Sequence, residues 1–188
     1  MSERPDDPAA VHLTIDTPAD MHAFGAAIAG QLMAGDLVTL NGELGAGKTT
    51  LTRGLGEALE VRGAVTSPTF VLARTHPRRA GAPLVHVDAY RLSSAAELDD
   101  LDIDFARSIV VVEWGAGLLD GITESWLSID IVRPTGGHEH PNPLAEKIAA
   151  DLTAADEFAD DVAEPRTLTV TGHGDRWKDL GWVGAPRN

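Results

Sequence analysis

Residues 42–49 read GELGAGKT, which fits the spacing G-x-x-x-x-G-K-[ST] in full. Gly42, Gly45 and Gly47 let the backbone turn tightly, so that successive N–H groups point inward at an anion. The N-terminus of a following helix adds partial positive charge. Lys48 brings a point charge to the β- and γ-phosphates of a nucleotide, and the Thr49 hydroxyl can ligate Mg²⁺. A Gly-rich turn that binds nothing is the plain alternative. The apolar run before the motif and the helical pattern after it favour the phosphate site.

Such a loop needs a carboxylate at the end of a neighbouring strand to hold Mg²⁺, directly or through water. Asp88 follows LVHV and Glu113 follows SIVVV, each a lone carboxylate ending an apolar run. Strand ends are where an α/β sheet meets its ligand. Glu113 is expected on the metal side, with Asp88 holding or polarising a catalytic water or coupling the site to movement. Either carboxylate could orient the water. A third piece is Thr66-Ser67-Pro68-Thr69-Phe70, where a threonine hydroxyl can sense the γ-phosphate or Mg²⁺. On motif strength alone, an ordinary Pro-containing turn is the better reading of that loop.

The elements that must position these groups follow from periodicity. VHLTID (residues 11–16) alternates as a strand, and residues 1–10 read as a flexible tail. Thr17-Pro18-Ala19-Asp20 carries helix-start chemistry, and the helix is expected to run to about Met33 with Gly35 ending it. Strands are expected at residues 37–42, 70–75, 84–88 and 108–114, the last the most apolar and so buried on both faces. Helices are expected at residues 48–59 and, capped by Ser93 or Ser94, at 94–101. Residues 126–132 and 167–172 alternate as antiparallel strands. Between them, residues 136–164 read as an insertion whose residues 142–160 could form an acidic amphipathic helix.

Composition bounds the rest. A chain of 188 residues favours a single domain. Its formal net charge of −14 argues against a surface that grips nucleic acid by itself. The absence of cysteine excludes disulfides, thiolate metal sites and cysteine nucleophiles. The start lacks the apolar core of a signal peptide, and no apolar run is long enough to cross a bilayer, so a cytoplasmic chain is expected.

In this order, GELGAGKTTLTRGL, TSPTF, HVDAYRL and VVVEWG resemble the TsaE (YjeE) family, bacterial ATPases required for threonylcarbamoyladenosine in tRNA. The resemblance spans about residues 13–132 and the final strand. It implies an α/β, P-loop NTPase-like three-layer fold with a central mixed sheet and an N-terminal β-α unit that helps house the adenine. It implies ATP/ADP and Mg²⁺ as cofactors, and hydrolysis that is slow alone. Implied partners are TsaD and TsaB, whose complex the hydrolysis resets, with tRNA met only through that complex and no membrane involved. The implied phosphate site comprises Glu43, Leu44, Gly45, Ala46, Gly47, Lys48, Thr49 and Thr50. Thr49 and Glu113 would hold Mg²⁺, Thr69 would act as the switch, and Asp88 would serve hydrolysis with Glu113 and Lys48. Thr17 of the N-terminal unit, Trp114, and either Arg166 or Arg133 complete the implied nucleotide contacts. The chain departs from the family pattern at Ala116, where an acidic residue is usual, and in the length of the 136–164 stretch.

The remaining features have bland readings. His138-Glu139-His140 lies in a Gly/Pro-flanked loop with no further ligand in sight. His86 reads as a packed strand residue, with a supporting role behind a ligand as the alternative. Arg78-Arg79 reads as a solvated turn, and Trp177 and Trp182 as a tail that either folds back or docks a partner. A small P-loop metabolite kinase and a nucleotide-dependent switch are the competing functions. An Arg-rich lid, which the kinase would need, does not stand out among the 15 Lys and Arg residues.

Overall fold

Period-two burial organises the molecule around one sheet. In the computed structural model, which describes residues 8–119, 122–133 and 164–184, β2 (Leu37–Gly42), β4 (Leu84–Asp88) and β5 (Ile109–Glu113) are apolar runs buried on both faces. Such runs suit parallel pairing covered by helices, and β5 pairs in parallel with both β2 and β4. β1 (Ala9–Ile15), β6 (Trp126–Val132) and β7 (Arg166–His173) alternate between buried and more exposed positions. With β3 (Ala73–His76) they complete a seven-stranded mixed sheet in the order β1-β7-β6-β2-β5-β4-β3.

Two helices cover one face. α1 (Pro18–Ala29) is capped by the Thr17 side chain, which accepts from the Asp20 N–H. α2 (Lys48–Ala58) starts from Gly47 in the left-handed region. Glycine lets the two helices touch: a Cβ on Gly25 would strike the Leu51 carbonyl, and one on Gly54 the His22 carbonyl. Leu51, Leu55, Phe24 and Ile28 join Leu84, Ile109 and Val111 in the larger core. The other face packs Leu37, Val85, Val87, Val110 and Val112 with Leu98 of α3 (Ala95–Asp99). The alternation therefore puts His86, Asp88 and Glu113 on the α1/α2 face, with Leu84, Ile109 and Val111.

Several expectations need correction. The first strand includes residues 9 and 10, drawn out of the expected tail by pairing with Gly172 and Thr171. α1 stops at Ala29, with Gly30 as its cap, and not near residue 33. Asp36 accepts the Met33 N–H at 2.8 Å, and Arg176 binds both the Gln31 carbonyl and Asp36, which pulls residues 31–36 into turns. β3 begins at Ala73, not residue 70. The Val71 N–H closes a turn onto the Pro68 carbonyl, and Leu72 has a φ of 62°, so extension cannot start earlier. β6 is antiparallel only to β7 and runs parallel to β2. Arg78 is no solvated tip: its guanidinium donates to the Leu59 and Ala82 carbonyls at 2.6 and 3.4 Å.

The C-terminal segment folds back. Trp177 is fully buried in the larger core, with Leu180 and Val183, and Gly172 leaves room for its backbone. The expected helix at residues 142–160 and the His138-Glu139-His140 loop lie outside the described residues. So do residues 1–7 of the expected tail and all of the expected insertion except Glu164.

Candidate phosphate-binding site

The loop between β2 and α2 has the backbone its glycines permit. Gly42, Gly45 and Gly47 have φ values of 142°, 73° and 111°. Gly42 is also close to the Ile131 carbonyl, where a Cβ would collide. No side chain caps α2, so its first N–H groups keep the anion-facing role of a helix N-terminus. Ala46 is buried beneath the loop, while Glu43 and Gly45 are exposed and Leu44, Gly47, Thr49 and Thr50 are half-buried.

Lys48 is only 5% exposed. Its ammonium donates to the Gly42 and Glu43 carbonyls at 2.8 and 2.9 Å and lies 3.9 Å from the centre of the Trp114 ring. The carbonyls and the ring face hold the buried charge across the loop. Trp114 has a φ of 64°, its N–H donates to the Leu40 carbonyl, and its ring meets Tyr90 edge-on at 5.3 Å. That bend at the end of β5 turns the indole toward the loop. The family resemblance implied a nucleotide contact for Trp114; in the structure its ring meets Lys48 and Tyr90.

The two carboxylates sit side by side. Asp88 and Glu113 are register partners across β4 and β5, and both are buried. Glu113 Oε1 accepts from Thr49 Oγ1 at 3.2 Å and bonds His86 Nε2 at 2.8 Å. Asp88 Oδ1 accepts the Tyr90 N–H at 3.0 Å. A hydroxyl and a carboxylate oxygen this close match neighbouring corners of an octahedral Mg²⁺ site, whose ligands stand about 3.0 Å apart. Oxygen donors at the end of a phosphate loop suit that hard cation, so the residues fit the ion.

The 66–72 loop lies beside the carboxylates. The Leu72 carbonyl accepts the Asp88 N–H at 2.8 Å, and Arg91 donates to the Thr69 carbonyl at 2.5 Å. Thr69 is buried, and its hydroxyl pairs with Ser67 at 2.7 Å. Among the described residues no hydrogen bond joins Thr69 to the phosphate loop.

A cleft opens on the other side of the loop. It is lined by Thr17, Pro18 and Met21 at the start of α1, by Gly45, Gly47 and Thr50, and by Glu164 and Arg166. The Thr17 hydroxyl also donates to Asp20 at 2.6 Å. Arg166, at the start of β7, pairs with Ile15 in register, which carries it to this cleft. Arg133 reaches the loop too, close beside Gly45, and Glu164 ties both arginines together. Both candidate arginines therefore border the loop, and Arg166 lines the cleft. Sequence reasoning missed Met21, Glu164 and Asn41. Asn41 donates to Asp130 at 3.1 Å and accepts the Ala116 N–H at 3.1 Å, fixing the turn after Trp114. No motif marked these residues; the register of β2, β6 and β7 brings in Asn41 and Glu164, and the packing of α1 against Gly47 brings in Met21.

The family model for the threonylcarbamoyl adenosine biosynthesis protein TsaE matches residues 15–140. The chain belongs to the TsaE family. A tRNA threonylcarbamoyladenosine biosynthesis protein TsaE from Streptomyces coelicolor is 52% identical over 161 residues, covering 84% of this chain and 93% of that one. The TsaE of Mycobacterium tuberculosis is 48% identical over 130 residues, covering 64% and 77%. The crystal structure of Bacillus subtilis YdiB superposes with a TM-score of 0.64 at 24% identity, over 91% of this chain and 90% of that one, and shares the fold. The TsaE match contains the whole phosphate loop, the 66–72 loop and both strand-end carboxylates, and it ends before β7 and Arg166.

Proposed function

We propose that this chain is the Mg²⁺-dependent, ATP-binding and ATP-hydrolysing subunit of the tRNA threonylcarbamoyladenosine machinery, working in the cytoplasm with TsaD and TsaB. The observation that carries the reading is the Thr49–Glu113 contact at the mouth of the GELGAGKT loop, within a chain of the TsaE family. No helix among the described residues is long and apolar enough to cross a membrane, which agrees with it. The net charge of −14 suits a subunit that meets tRNA through its partners.

In this reading the loop N–H groups and Lys48 hold the β- and γ-phosphates. Lys48 would exchange its carbonyl partners for phosphate oxygens, which bind an ammonium more strongly. Mg²⁺ held by Thr49 and Glu113 would neutralise charge developing on the phosphates. Asp88, one strand away from Glu113, orients water for in-line attack and accepts its proton. The cleft between α1, the loop and Arg166 houses the rest of the nucleotide. Positioning and preorganised charge supply the catalysis.

The test is ATP binding and turnover by the purified protein, with Mg²⁺ and with EDTA, for the natural protein and Lys48→Ala. Turnover should need Mg²⁺. Loss of a charge-assisted contact of about 1.5–3 kcal/mol should weaken ATP binding about 10- to 100-fold in the variant. Unchanged affinity in Lys48→Ala would remove the phosphate role from this loop.

A further inference from the structure

Among the described residues, a fully buried imidazole is bonded to one atom of the candidate site. His86 has no exposed surface, and its Nε2 lies 2.8 Å from Glu113 Oε1. Its Nδ1 has no hydrogen-bond partner among the described residues. A carboxylate only accepts, so Nε2 carries the proton of this bond. Burying a ring with one orphaned nitrogen costs free energy that leucine at the same place would not. Packing alone therefore gives no reason for histidine.

We propose that His86 is a positioning residue that holds the Glu113 carboxylate in the orientation needed to bind Mg²⁺ with Thr49. The inference rests on the Mg-ATP reading above. Glu113 Oε1 is gripped from two elements: from β4 by His86 at 2.8 Å and from α2 by Thr49 at 3.2 Å. The pleat puts His86 and Glu113 on the same face, with Val111 as the register partner of His86. Thr49 is to share the cation, so its bond to Glu113 must loosen or turn when the ion arrives. The His86 bond has no such second duty. It fixes the carboxylate whether or not the ion is present. Partners of this kind, behind a ligand, are worth about 10- to 100-fold in metal affinity.

The experiment measures binding of a non-hydrolysable ATP analogue by calorimetry, in Mg²⁺ and in EDTA, and takes the ratio of the two affinities. His86→Leu and His86→Asn remove the bond, the first keeping bulk and the second polarity. His86→Gln places an amide N–H close to the position of Nε2. The ratio should shrink about tenfold in the Leu and Asn variants, with the EDTA affinity unchanged, and return toward the natural value in His86→Gln. A natural ratio in His86→Leu or His86→Asn would overturn the proposal while leaving the Mg-ATP reading intact. An equal loss in all three variants would also overturn it, because packing would then explain the residue. A natural protein with no Mg²⁺-dependent gain would instead sink the Mg-ATP reading, and this inference with it.

Discussion

At the residue scale, the two strand-end carboxylates are asked to do different work. Glu113 contacts the Thr49 hydroxyl, whereas Asp88 contacts the Tyr90 backbone beside the 66–72 loop. In the proposed reading, Glu113→Gln keeps the shape but loses the charge that would hold Mg²⁺, so both Mg²⁺ dependence and turnover should fall. Asp88→Asn should lower kcat by about 100-fold or more while leaving ATP affinity within a few-fold, since a water-orienting base acts in the transition state. Steady-state turnover beside equilibrium binding checks the split, and equal losses in both quantities for Asp88→Asn would contradict it. These residues were legible because each ends an apolar run, and a strand end is a position that periodicity fixes. Asn41 and Glu164 were not legible, because their partners lie 89 and 31 residues away in sequence.

At the scale of elements, the site depends on how closely α1 approaches α2, since α1 supplies one wall of the cleft and α2 the floor of the phosphate loop. Gly25 and Gly54 are the points of contact. Alanine at residue 54 would gain about 1 kcal/mol of helix propensity in isolation. Its Cβ would meet the His22 backbone carbonyl, which has no rotamer to move aside. Overpacking should win, with Gly54→Ala destabilised by about 1–3 kcal/mol and its Tm lowered by several degrees. A thermal melt with unchanged or raised Tm would show that the helices can part without cost. Helix starts were legible in sequence, because Thr17-Pro18 and Ser94 carry cap chemistry. The end of α1 and the start of β3 were not, because Arg176 and the Pro68 turn decide them through contacts that no local pattern reveals.

At the scale of the whole molecule, burial of histidines sets a pH dependence of stability. Desolvation holds the His76 pKa below its ordinary value of 6.5, and repulsion from His86 and Arg74 adds to it. The unfolded chain binds that proton more readily, so this contribution to stability is complete above about pH 6.5 and is lost as pH falls below it. His173, also desolvated by burial and partly opposed by Asp130, acts in the same direction. Compared between about pH 7.5 and about pH 5.5, Tm should fall less in His76→Leu than in the natural protein. Parallel profiles would remove His76 as a cause. The parallel centre of the sheet was legible from its continuous apolar strands, whereas the mixed pairing of β6 was not, since alternation reports burial and not the direction of a neighbour. One measurement reaches both the phosphate loop and the proposed tRNA-modification role: ATP hydrolysis by the purified protein, alone and with the TsaD and TsaB proteins of the same organism. The expected result is slow Mg²⁺-dependent turnover alone and strong stimulation by the pair, abolished in Lys48→Ala. Tight Mg-ATP binding with a rate that the pair leaves unchanged would contradict it.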